Sequence, residues 1–157
     1  MPLQDTCEMD KPARILVVDD YEPWHRVVSS ILETQAEVKV VGHAFDGLEG
    51  VQQAQMLRPE LMLLDLGLPR LNGIQAARQI REVSPESRIL IVTQTWCAEL
   101  AELALEIGAC GYVVKSEASY ELFPAITAVL NGERFLSSSV GVVATSSRAQ
   151  PRESQPR

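Results

Sequence analysis

Five short aliphatic runs, each the length of a β-strand, set the strongest limit on how this chain folds. They are residues 15–18, 38–41, 61–64, 89–92 and 112–114. Because the runs are nearly continuous instead of alternating between apolar and polar residues, both faces of the sheet that they form should be covered. The pattern therefore predicts parallel strands with helices packed on either side.

The segments between these runs carry apolar residues at helical spacing, as in residues 27–32. Residues 14–131 thus repeat a strand-helix unit five times, and right-handed crossovers leave few arrangements for such a chain. We predict an α/β fold, a flavodoxin-like, doubly wound sheet of five parallel strands in the order 2-1-3-4-5, with five helices. Gly108, just after the fourth helical segment, is expected to end that helix.

The length of 157 residues suits a single domain, which we place at residues 13–132. Residues 1–12 form an N-terminal extension, and residues 133–157 form a linker-like or disordered tail. A net charge of −7 disfavours direct binding of nucleic acid, which normally requires a basic surface. No segment approaches the roughly 20 apolar residues of a membrane span. Three cysteines without Cys-x-x-Cys spacing fit a reducing compartment, so we expect a cytoplasmic protein that does not contact the membrane.

Polar side chains follow four of the predicted strands, at the point where each strand ends. They are Asp19 and Asp20, Asp65, Thr93 and Lys115. Because the carboxyl ends of parallel strands meet at one edge of the sheet, we expect these side chains to share one site. Each also has an ordinary structural explanation, and Asp20, for example, could cap the first helix. Asp65 is harder to explain in that way, since burying a carboxylate after four apolar residues is costly unless it is paired or bound to a metal.

Three carboxylates gathered in this way would repel one another unless a cation lies among them. Oxygen ligands without a nearby imidazole or thiolate suit a hard ion, so we expect Mg²⁺, with Mn²⁺ as the alternative. Such an ion takes its other ligands from water and a substrate phosphate. The residue types therefore predict a phosphoryl-transfer site with a carboxylate nucleophile, a hydroxyl and a lysine for the phosphate oxygens.

The same residues fall in motifs that resemble the receiver domain of two-component response regulators. The motifs are Ile-Leu-Val-Val-Asp-Asp (15–20), Leu-Asp-Leu-Gly-Leu-Pro (64–69) with Asn-Gly (72–73), Ile-Val-Thr (91–93) and Gly-Ala-Cys-Gly-Tyr-Val-Val-Lys (108–115). The resemblance implies that Asp65 accepts a phosphoryl group from the phosphohistidine of a sensor histidine kinase or a histidine phosphotransfer protein. It also implies a regulatory phosphoacceptor that assists its own phosphorylation and dephosphorylation, not a turnover enzyme.

The resemblance assigns a metal role to four residues. Asp20 and Asp65 would bind Mg²⁺ directly, Asp19 would bind through water, and the backbone carbonyl of Gly67 would complete the protein ligands.

A conformational switch is implied for three others. Lys115 and Thr93 would contact the phosphoryl oxygens, and Tyr112 would rotate into the space behind Thr93. This change would alter the surface formed by the fourth helix, the fifth strand and the fifth helix. Alternatively, Tyr112 is an ordinary half-buried aromatic residue of a strand.

Two departures from the common receiver pattern matter. Gly67 and Thr95 occupy positions that in this family influence how water reaches the acyl phosphate. Neither residue offers a carboxylate or an amide side chain. We therefore expect phosphorylated Asp65 to hydrolyse slowly. Ser116 follows Lys115 where many receivers have proline, so a cis peptide bond is not assumed there.

Residues 66–69 look most like the receivers that precede a helix-turn-helix output module, but the 26 residues after Asn131 are too few for one. Two explanations stay open: a single-domain receiver that signals by protein contact, with weak homodimerisation, or part of a longer DNA-binding transcriptional regulator. An aspartate-nucleophile phosphatase is a weaker alternative, because it requires Asp-x-Asp where this chain has Asp19-Asp20-Tyr21. The two histidines, His25 and His43, are expected to be surface or helix-packing residues.

Overall fold

The structure, a computed structural model, describes residues 11–137 of the chain. Its centre is a parallel sheet in the order β2-β1-β3-β4-β5-β6. The strands are β1 (Ala13–Val18), β2 (Val38–Ala44), β3 (Leu61–Leu64), β4 (Arg88–Thr93), β5 (Gly111–Val114) and β6 (Phe135–Leu136). The helices are α1 (Glu22–Leu32), α2 (Gly47–Leu57), α3 (Gly73–Val83), α4 (Ala98–Glu106) and α5 (Ala118–Leu130), and a short 3-10 helix at Lys115–Glu117 follows β5.

Two hydrophobic layers cover the sheet, one on each face. Helices α2, α3 and α4 pack on one face, and α1 and α5 pack on the other. In β1, residues 15–18 are fully buried, and the four residues of β3 are at most 1% exposed. Burial on both faces explains why these strands have no polar side chain between their apolar ones.

The predicted fold is confirmed in its class, its parallel strand order and its five helices, and the sheet gains a sixth strand. Phe135 pairs with Gly111 and Leu136 pairs with Tyr112 of β5. These two residues belong to the segment that the sequence assigned to the tail, and two residues are too few to show a periodicity. Residues 1–10 and 138–157, which contain most of the predicted extension and tail, lie outside the described residues.

Local signals define the start of α3 and the end of α4. At the start of α3, Asn72 and Gln75 form a capping box, in which each side chain accepts a hydrogen bond from the other residue's backbone N–H. Gly108, which was predicted to end α4, adopts a φ of 110°, a conformation that favours glycine. The Lys115–Ser116 peptide bond is trans. Within residues 11–137, no helix is both long enough and apolar enough to cross a bilayer.

Candidate functional site

Strand register brings the predicted polar residues to one edge of the sheet. Val18 of β1 pairs with Leu64 of β3, so Asp19 and Asp65, one residue further along, leave the sheet side by side. Thr93 ends β4 opposite Val114 of β5, and Lys115 comes directly after it. Four strands therefore deliver their polar side chains to the same end, as expected for parallel strands.

Three carboxylates form the centre of this site. Asp19, Asp20 and Asp65 each offer an oxygen, and these oxygens all lie within 4.8 Å of one another. Asp19 is 1% exposed and Asp65 is 8% exposed, whereas Asp20 faces solvent. Two buried carboxylates and a third at the surface, with their oxygens this close together, fit a site for a hard divalent cation.

Lys115 supplies positive charge to the cluster. Its ammonium lies 2.6 Å from Oδ2 of Asp19, and its side chain is 14% exposed. The same ammonium lies 5.0 Å from the ring centroid of the buried Trp24, within the range of a cation-π contact. The ion pair and the aromatic face together hold Lys115 at the edge of the carboxylate cluster.

The environment of Asp65 disfavours its ionised form. Burial is the main cause, and the charge of Asp19 adds to it, so the pKa of Asp65 lies above its ordinary value. The charge of Lys115 and hydrogen bonds from the Thr93 hydroxyl and the Leu66 amide offset part of this increase. A bound cation would relieve the repulsion between the carboxylates.

The raised pKa of Asp65 predicts a pH-dependent stability difference. The folded state holds the Asp65 proton more tightly than the unfolded state, so this stabilising contribution is complete below pH 3.8 and is lost as the pH rises through the raised pKa. Without divalent ions, we expect Asp65→Asn to unfold at a higher temperature than the unchanged chain at pH 7, with the difference disappearing near pH 4. Thermal unfolding followed by circular dichroism across this range measures it. Equal transition temperatures at pH 7 would contradict the expectation.

The remaining predicted residues border the same opening. All seven line one open cavity of about 670 Å³: Asp19, Asp20, Asp65, Gly67, Thr93, Tyr112 and Lys115. The structure thus brings together every residue that the sequence singled out.

Tyr112 is fully buried at the back of this cavity. Its hydroxyl donates a hydrogen bond of 3.0 Å to the backbone oxygen of Thr95, and its ring meets the ring of Trp96 edge-on at 6.0 Å. Burial is the main cause that raises the pKa of Tyr112 to about 12, so the hydroxyl keeps its proton at neutral pH.

Sequence reasoning missed two residues that contact the site. Trp24 stacks on Lys115, and no local pattern could reveal this because the two residues are far apart in the chain. His25, expected at the surface or in helix packing, is 3% exposed, and its Nε2 donates a hydrogen bond of 2.8 Å to the backbone oxygen of Asp19. Burial and the charge of His25 lower the pKa of its neighbour His43, and Glu22 opposes this decrease.

Comparison with known proteins gives a consistent family. A family model described as the response regulator receiver domain matches residues 15–127. The transcriptional regulatory protein LiaR of Bacillus subtilis (strain 168) is 34% identical over 127 residues, which are 81% of this chain and 60% of LiaR. Protein-glutamate methylesterase/protein-glutamine glutaminase 1 of Geobacter sulfurreducens is 41% identical over 105 residues, which are 66% of this chain and 29% of that protein. The chain therefore spans less than two thirds of either relative.

Solved structures show the same fold. The crystal structure of a LuxR-family two-component response regulator from Aurantimonas sp. SI85-9A1 superposes with a TM-score of 0.83 at 34% sequence identity. The match covers 88% of this chain and 99% of that chain.

Proposed function

Because this chain belongs to the receiver domain family of two-component response regulators, we propose that it is a phosphoacceptor whose Asp65 takes a phosphoryl group from a phosphohistidine. The donor would be a sensor histidine kinase or a histidine phosphotransfer protein. One observation carries the proposal: three carboxylates, a hydroxyl and an ammonium surround a single open cavity. That set of groups suits phosphoryl transfer, in which catalysis rests on positioning and on neutralising charge.

The donor set supports Mg²⁺, with Mn²⁺ as an alternative. Asp20 and Asp65 would bind the ion directly, Asp19 would bind it through water, and the exposed Gly67 would offer its backbone carbonyl. Oxygen ligands without an imidazole among them are those that such hard ions prefer. When bound, the ion would neutralise charge on the carboxylates and on the phosphoryl oxygens.

The side chains then have separate tasks. A carboxylate oxygen of Asp65 attacks phosphorus, the bond from phosphorus to the histidine nitrogen breaks, and an aspartyl phosphate forms. Lys115, which Asp19 and Trp24 hold in place, pairs with a phosphoryl oxygen. The Thr93 hydroxyl, which donates a hydrogen bond to Asp65 in this state, is available for a second phosphoryl oxygen.

Phosphorylation would act as a switch through added charge. The phosphoryl group carries a charge of about −2, in place of the single charge of the carboxylate, which strengthens the attraction for Lys115 and draws Thr93 inward. Tyr112, which lines the same cavity as Thr93 and donates a hydrogen bond to the Thr95 backbone, is the residue that would report the change to α4, β5 and α5. We propose this surface as the output of the domain.

The proposal is tested by intact-mass measurement of the full chain after incubation with a small acyl phosphate donor. We expect one added phosphoryl group in the presence of Mg²⁺ and almost none in the presence of EDTA. Repeated turnover of a phosphomonoester without a stable adduct would instead favour the aspartate-nucleophile phosphatase. An adduct that forms equally well in EDTA would contradict the metal assignment.

The aspartyl phosphate is expected to be long-lived. Gly67 is exposed and Thr95 lines the cavity, and neither side chain carries a carboxylate or an amide to orient an attacking water. After the excess acyl phosphate donor is removed, the phosphorylated form of the isolated chain should persist well beyond seconds. A time course of intact mass measures the decay, and a lifetime of only seconds would refute the expectation.

The relatives leave the whole protein open to two proposals. LiaR is named a transcriptional regulatory protein, and the chain spans only 60% of it. We propose either a receiver domain (residues 13–132) with its linker from a longer DNA-binding regulator, or a single-domain receiver that acts by protein contact, including homodimerisation. The net charge of −7 supports signalling without direct nucleic-acid contact by this chain. The three cysteines without Cys-x-x-Cys spacing support a cytoplasmic location. The position of the stop codon in the coding region distinguishes the longer regulator from the single-domain receiver.

A further inference from the structure

A second cavity, of about 540 Å³, lies beside α1 and contains both histidines of the chain. Nδ1 of His25 lies 2.7 Å from Nδ1 of His43, and the two ring planes are inclined by 56° with their centroids 4.9 Å apart. The phosphoacceptor proposal gives this pair no role.

The backbone fixes the orientation of His25. Its Nε2 lies 2.8 Å from the backbone oxygen of Asp19, and a carbonyl oxygen only accepts hydrogen bonds, so Nε2 carries the hydrogen. The lone pair of Nδ1 therefore faces His43. Metal-bound histidines are oriented in the same way, with one ring nitrogen donating to a carbonyl and the other binding the ion.

A carboxylate stands on the same face of α1. Glu22 precedes His25 by three residues, so both side chains project from one face of the helix, and both line the cavity. Glu-x-x-His at this spacing supplies metal ligands in helical metal sites. The Glu22 carboxylate pairs with Arg26 at 3.2 Å, but both side chains are mostly exposed, so the pair is weak and Glu22 can rotate away from it.

We propose that His25, His43 and Glu22 form a binding site for a divalent transition-metal ion of the zinc class, separate from the aspartate cluster. Two imidazole nitrogens and one carboxylate oxygen are ligands that Zn²⁺, Co²⁺ and Ni²⁺ accept. Mg²⁺ prefers an all-oxygen site and would remain with the aspartates. Water would complete the coordination, since the cavity is open to solvent.

To accept an ion, the two rings must move apart and Glu22 must turn from Arg26 toward them. Two imidazole nitrogens that bind one zinc ion tetrahedrally lie about 3.3 Å apart, so the Nδ1 atoms would separate by about 0.6 Å. His43 is half-buried, sits on β2, the edge strand of the sheet, and lines the open cavity. Its hydrogen would move from Nδ1 to Nε2, which leaves both rings neutral and both Nδ1 lone pairs free for the ion.

The test is isothermal titration calorimetry of the full chain with ZnCl₂ in excess Mg²⁺, with the cysteine thiols blocked. We expect one bound Zn²⁺ per chain. His43→Gln removes a ligand and should weaken binding by about tenfold or more, and the exposed Glu22→Gln should weaken it in the same direction. Glu37→Gln, an exposed carboxylate that does not line the cavity, is the matched control and should leave the affinity unchanged.

A second measurement locates the ion directly. Because the chain has only two histidines, Ni²⁺ should broaden both sets of imidazole NMR signals, and it should do so even if His43→Gln fails to fold. Affinity that is unchanged in both Glu22→Gln and a folded His43→Gln would overturn the proposal. So would imidazole signals that are insensitive to Ni²⁺, or Zn²⁺ binding that Asp65→Asn abolishes, since the ion would then occupy the aspartate cluster.

Discussion

Asp65→Asn is expected to abolish phosphorylation of the chain by a small acyl phosphate donor. The asparagine amide has nearly the shape of the carboxylate but is not a nucleophile, so no acyl phosphate can form. Asp65 leaves β3 beside Asp19 and is hydrogen-bonded by Thr93, whereas the neighbouring Asp20 faces solvent. Intact mass should show one added phosphoryl group on the unchanged chain and none on the variant.

Asp46→Asn is the matched control for this experiment. Asp46 is the N-cap of α2, accepting a hydrogen bond of 2.8 Å from the backbone of Glu49, and asparagine caps helices about as well as aspartate. The control should therefore fold normally and gain the same adduct as the unchanged chain. Because Asp65→Asn also removes charge repulsion, it should stay folded, so loss of the adduct cannot be attributed to unfolding. Full labelling of Asp65→Asn would place the nucleophile elsewhere.

Gly73→Ala is expected to cause a large loss of stability. A Cβ atom at Gly73, the first residue of α3, would clash with the backbone oxygen of Asp65 and lie 2.6 Å from Cα of Leu66. These are backbone atoms that cannot move aside as a flexible side chain could. Forcing α3 away from them should lower the free energy of unfolding by about 1–3 kcal/mol. Chemical denaturation followed by circular dichroism measures the change.

Gly67→Ala is the matched control for Gly73→Ala. At Gly67 the nearest atom to a new Cβ is Oδ2 of Asp65 at 3.9 Å, an ordinary contact distance, and Gly67 is not among the glycines with positive φ. Its stability should be unchanged or higher by up to about 1 kcal/mol. Equal losses in the two variants would show that the close approach at Gly73 is not what limits substitution there.

Several parts of the fold and site follow from local sequence alone. Uninterrupted apolar runs at 15–18 and 61–64 indicate strands buried on both faces, because a polar side chain on either face of such a strand would lose its contact with water. A sheet of parallel strands has all its carboxyl ends at one edge, so the positions of Asp65 and Thr93 at strand ends are enough to predict that both lie at that edge.

Other features depend on contacts between distant segments, and no local pattern encodes them. Strand β6 forms because Phe135 and Leu136 lie beside the free edge of β5 and pair with it. Two residues are too few to show the periodicity of a strand in the sequence. The stacking of Lys115 on Trp24 and the hydrogen bond from His25 to the Asp19 backbone depend on how α1 packs against the sheet. The sequence determined where polar side chains follow the strands, because each aliphatic run ends at a polar residue. Only the tertiary structure decided which of them touch, since that depends on register and helix packing to within an ångström.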